Sequence, residues 1–102
     1  MKQLVDGKVC NTETATQIAT WSNGLNSNDF NSLCESLYKT KNGVLFLFAK
    51  GGASTWCAAR VGNSRTAGVK FMSFSKQDAI EWAEQRCIDP DLISLELNLE
   101  EA

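Results

Sequence analysis

The sequence predicts an α+β fold: a small antiparallel sheet of about five strands, two hairpins plus a further strand, packed against two main helices. Three observations carry this. Asp6-Gly7 and Asn42-Gly43 are two-residue turn signals between apolar runs. Val44 to Ala49 (Val-Leu-Phe-Leu-Phe-Ala) is apolar on both alternating faces, as in a central strand covered on both sides. Ser75-Lys76-Gln77-Asp78 resembles a capping box opening a helix. With 102 residues the chain is read as one domain, 1–102, in which roughly 89–102 form a partly ordered acidic tail.

Taken in order, Lys2 to Val5 and Lys8 to Cys10 flank Asp6-Gly7 and form the first hairpin, with Leu4 opposite Val9 and facing inward. Asn11-Thr12 supplies N-cap oxygens ahead of Glu13, and Ala15, Ile18 and Ala19 fall at i, i+3 and i+4. That spacing predicts a helix running towards Trp21. Residues 22–29, rich in Asn and Ser around Gly24, form a loop. The second hairpin pairs about Leu33–Thr40 with Val44–Lys50. If Asn42-Gly43 is a two-residue turn, Tyr38 faces Leu47, Leu37 faces Phe48 and Glu35 faces Lys50; a three- or four-residue loop shifts this register. A short helix is expected from Ser54 or Thr55 through Ala59, with Gly62 just beyond it. Val69 to Phe74 is a further strand and Lys76 to Cys87 the second main helix, broken at Asp89-Pro90. The remainder is a last strand or a short helix, with its first turn leaning to helix.

The absence of histidine excludes Ser-His and Cys-His nucleophile pairs and every zinc site that needs imidazole. Cys10, Cys34, Cys57 and Cys87 lie 24, 23 and 30 positions apart, so no Cys-x-x-Cys pair brings two thiolates to one centre. Buried structural thiols are expected, and no metal or cofactor. Apart from Asp6, the only acids before residue 78 are Glu13, Asp29 and Glu35, too few to assemble an obvious catalytic site. No apolar run approaches the ~20 residues that cross a bilayer. The start reaches Asp6 before any signal-peptide core forms, so a soluble cytoplasmic protein without membrane contact is expected.

Charge position is more informative than the net charge of −2. From Lys39 to Lys76 there are seven cations and no acid; from Asp78 to Glu101 there are eight acids and one cation, Arg86. Such blocks either neutralise one another across the surface, mark a face for an anionic partner, or pair between copies of the chain. The binding face is assigned to Lys39, Lys41, Lys50, Arg60 and Arg65, with Trp56 as aromatic anchor. A second anion-binding candidate is the turn Gly51-Gly52 with Ser54, where glycines and a helix N-terminus would present free N–H groups. Nucleic acid is the less favoured partner. Most of the aromatics among these cations sit in strand patterns that core packing explains equally well, and the pI near 5.0 is low for a duplex binder.

Thr12-Glu13-Thr14-Ala15, Glu35-Ser36-Leu37-Tyr38-Lys39-Thr40-Lys41-Asn42-Gly43, Phe46-Leu47 running to Gly51-Gly52, and Asp78-Ala79-Ile80-Glu81-Trp82 together resemble small uncharacterised bacterial, phage or mobile-element accessory proteins. That resemblance implies an accessory protein acting by binding, and no catalytic residue carries over. The expectation is therefore a non-enzymatic interaction domain that binds a protein partner or itself. The alternatives are a single-stranded nucleic-acid or other anion-binding protein, and a mobile-element inhibitor of a host defence system.

Overall fold

The computed structural model describes residues 1–26 and 28–99. Its elements run β1 (Lys2–Val5), β2 (Lys8–Asn11), β3 (Thr16–Ser22), β4 (Leu33–Lys39), β5 (Leu45–Gly51), β6 (Ala59–Val61), β7 (Ser64–Thr66), β8 (Gly68–Phe74), α1 (Lys76–Gln85) and α2 (Pro90–Leu97). A four-stranded antiparallel sheet has the order β3-β4-β5-β8, and β1-β2 and β6-β7 are separate two-stranded ribbons. The α+β expectation holds, with four strands in the main sheet.

Both helices cover one face of this sheet. Alternation places Leu37, Leu45 and Leu47 on that side, where they bury against Ala79, Trp82 and Ala83 of α1 and Ile93 and Leu97 of α2. Ser75 caps α1 in a reciprocal box: its hydroxyl accepts from the Asp78 N–H, and the Asp78 carboxylate accepts from the Ser75 N–H. Pro90 does not merely end α1; it sits in the first turn of α2, capped by the Asp89 side chain. On the opposite face Tyr38, Phe46 and Phe71 stack, with Phe48 edge-on to Phe71, and Phe46 is fully buried. Along β5, Leu45 to Leu47 and Ala49 are thus buried, while Phe48 is partly exposed and Lys50 exposed on the aromatic face.

Several local expectations are corrected. The helix expected between Asn11 and Trp21 is strand β3. Asn11 does cap a turn, its side chain accepting from the Glu13 N–H and its carbonyl from the Ala15 N–H, but one turn is all that forms. A register irregularity between Gln17 and Ala19 then buries two consecutive residues, Ile18 and Ala19. That bulge produced the i, i+3, i+4 spacing which imitates an amphipathic helix. In the second hairpin Gly43 (φ +83°) closes a turn by donating to the Thr40 carbonyl, and Thr40 donates to the Val44 carbonyl. This longer loop shifts the register by one: Tyr38 faces Phe46, Leu37 faces Leu47 and Glu35 faces Ala49, so the expected Glu35–Lys50 pair does not exist.

No helix forms at 54–59; residues 52–58 make a tight loop, and Gly62 (φ +62°) turns the unanticipated β6-β7 ribbon. Gly52 is there for close approach: a Cβ would sit 2.5 Å from the carbonyl oxygens of Asp29 and Phe30. In the first hairpin Asp6 and Gly7 both take positive φ and Leu4 does oppose Val9. The pair faces solvent, however, because Cys10 occupies the buried side of that ribbon. The expected acidic tail is partly helix, with Ile93 and Leu97 of α2 buried and α2 lying against β3; Glu100 to Ala102 lie outside the described residues.

Candidate functional site

The row Trp21–Glu35–Ala49–Lys70 crosses β3, β4, β5 and β8 on the helix-covered face. Glu35 is only 3% exposed, yet every approach to its carboxylate is taken. Its Oε1 accepts from Trp82 Nε1 and Arg86 Nε, both at 2.8 Å. Its Oε2 accepts from Trp56 Nε1 and Arg86 Nη2, both at 3.1 Å. The Arg86 guanidinium also lies 3.8 Å over the Trp21 ring. Burial alone would raise the Glu35 pKa; the hydrogen bonds from Arg86, Trp82 and Trp56, with the Arg86 charge, hold it below the ordinary value. A carboxylate so held stays ionised and is a poor proton acceptor, so this cluster fixes structure: it joins β4, the end of α1 and the 52–58 loop.

Beside it the loop buries Cys57 between Glu35 and Lys70. Desolvation, then the Glu35 charge, push that thiol up to about 11 against an opposing Lys70 effect. Burial likewise raises Cys10. These two are the inert buried thiols expected; Cys34 is half-buried and Cys87 exposed, and all four are free.

The expected binding residues separate into three places. Lys39 lies at the α2 end of the sheet, donating to the Glu96 carbonyl at 3.0 Å and pairing with its carboxylate at 3.6 Å. Lys41 is in the exposed loop beyond it. Lys50 is five residues along β5 from the partner of Lys39, roughly 17 Å at about 3.3 Å per residue, and on the opposite, aromatic face. Trp56, Arg60 and Arg65 remain together. Arg60 and Arg65 are direct partners across β6-β7, and with Lys70 they line an open concavity of about 610 Å³. Arg65 Nη2 donates to the Thr55 carbonyl at 3.2 Å, tying the ribbon to the loop that carries Trp56, itself 43% exposed. Sequence reasoning missed Lys70, whose place became visible only with the pairing of β5 and β8.

The Gly51-Gly52-Ser54 turn offers no row of free donors. The Gly52 N–H goes to the Ser32 carbonyl and the Ser54 N–H to the Phe30 carbonyl, and Gly51 and Gly52 are buried. Among the described residues, only Lys39 of the seven cations between 39 and 76 has a carboxylate within 4 Å, so the two charge blocks meet in one ion pair. Also among them, no group of three or more Cys, Asp or Glu is placed to hold a metal ion, and no helix is long and apolar enough to cross a membrane. Comparison with protein-family models, curated proteins and solved structures finds no match to this chain.

Proposed function

We propose that the protein is a non-enzymatic interaction domain that docks an acidic segment of a protein partner in the Arg60–Arg65–Lys70 concavity, with Trp56 on the adjoining 52–58 loop. The observation that carries this reading is the pairing of Arg60 with Arg65 across a two-stranded ribbon. Like charges directly opposed destabilise a ribbon by about 0.2–1 kcal/mol, and a third cation, Lys70, shares the same concavity. An anionic occupant reverses the sign of that local energy. Trp56 supplies a half-exposed indole held in place by Glu35, the kind of rigid aromatic that dominates interface energies.

A protein segment fits better than a nucleic-acid strand. Four of the five rings interleaved with the cations, Phe46, Phe48, Phe71 and Tyr38, are stacked on one another on the far face, which leaves Trp56 alone to stack on a base.

The test is equilibrium binding of a labelled Glu/Asp-rich peptide and of labelled oligothymidylate at two salt concentrations. The peptide is expected to bind, and Arg60→Glu/Arg65→Glu to weaken it about tenfold or more, while Lys41→Glu leaves it unchanged. Equal binding by the reversed variant overturns the site. Tighter binding of the oligonucleotide, falling steeply with salt, overturns the partner class in favour of nucleic acid.

A further inference from the structure

The aromatic face carries a second cleft, which owes nothing to the basic concavity across the sheet. Its floor is the cross-strand row Cys34–Lys50–Val69, contributed by β4, β5 and β8 in register. Leu25 and Leu33 wall it, and Ser32 adds one hydroxyl, enclosing about 410 Å³. Leu25 is 45% and Val69 38% exposed, so apolar surface faces water there without a cover among the described residues. Lys50 is the one charged group in the lining, and no carboxylate lies within 4 Å of it among those residues.

We propose that this cleft binds a small amphipathic carboxylate, a medium-chain fatty acid or an aryl acid, with its apolar body against Leu25, Leu33 and Val69 and its carboxylate on Lys50. The chemistry selects this class in two ways. Mostly apolar walls with one oriented polar group are the usual composition of a small-molecule site. A single ammonium matches a single negative charge, whereas a phosphate ester or a polyanion would leave charge uncompensated against apolar walls. The volume lies near the low end of the ~300–1,000 Å³ range of such sites, which favours a compact ligand over a long-chain lipid.

Cys34 in the floor gives a local readout. In a Cys87→Ser background, where the exposed thiol is gone and Cys10 and Cys57 stay buried, iodoacetamide alkylation at Cys34 is followed by mass spectrometry. Octanoate is expected to slow it about fivefold or more at saturation, octanol less, and octylamine least. Lys50→Glu should invert the order of octanoate and octylamine while leaving thermal unfolding unchanged. Calorimetric titration of octanoate into the unmodified protein and the Lys50→Glu variant measures the same preference without the thiol. Equal effects of octanoate and octanol, or no heat and no protection with octanoate, would overturn the assignment. Because Lys50 lies on the face opposite Arg60, Arg65 and Lys70, this outcome is independent of peptide docking.

Discussion

Two regions a few residues apart treat charge in opposite ways. At Glu35 one buried carboxylate meets a guanidinium and two indole N–H groups, and no polar atom is left over. At the β6-β7 ribbon two arginines are cross-strand partners and Lys70 lines the same concavity, with no carboxylate within 4 Å of any of the three among the described residues. The first arrangement is complete inside the chain. The second is left open to solvent. Charge satisfaction therefore separates what holds this fold from what the fold presents, and it does so better than residue type, since arginine serves in both.

Removing the satisfied charge should have the largest effect. Arg86→Met leaves the Glu35 carboxylate buried without its cation and is expected to cost about 3–5 kcal/mol, read as a large fall in the denaturant midpoint. Replacing both partners, Glu35→Leu with Arg86→Met, should recover part of that loss. If Arg86→Met alone is neutral, the cluster is not a structural lock.

Acid should act next, through the same carboxylate. Its native pKa lies below the ordinary value of 4.5, so its stabilisation is complete above that value and lost as pH falls through the lowered native one. Acid unfolding should therefore steepen below about pH 4.5, and Glu35→Gln should be less stable at neutral pH and lose less on acidification.

Trp56 sharpens the contrast because it belongs to both regions. Trp56→Phe deletes one hydrogen bond to a charged acceptor and should cost roughly 1.5 kcal/mol, and it should also weaken peptide docking. Docking lost with full stability would place Trp56 in the presenting region alone. The smallest effect on stability is expected from Arg60→Glu: within about 0.5 kcal/mol, and favourable if anything, because it turns a repulsive cross-strand pair into an attractive one.

The fold class, the Asp6-Gly7 turn, the central strand and the Ser75–Asp78 cap were legible because each rests on local chemistry or strict alternation. What escaped depended on partners distant in the chain. The spacing of Ala15, Ile18 and Ala19 is helical in period, and only pairing with β4 makes it a bulged edge strand. The Asn42-Gly43 signal located a turn without fixing its length, and one residue moved every cross-strand neighbour. Charge counting found the basic block, but strand alternation sent Lys50 to one face and Lys39 to a helix terminus. The two-residue turn set Glu35 opposite Lys50, and nothing within ten residues of it hints that Trp56, Trp82 and Arg86 converge there.

That convergence has a spectroscopic consequence. All three tryptophans in the chain touch Glu35 or its arginine, while the single tyrosine, Tyr38, lies stacked on the far face. Indole emission from the wild-type protein is therefore a one-locus gauge, sensitive to the guanidinium and carboxylate that neighbour every emitter. Tyr38 lies on the opposite face of the sheet, so emission excited at the red edge of the indole band, where phenol does not absorb, reports the Glu35 locus alone.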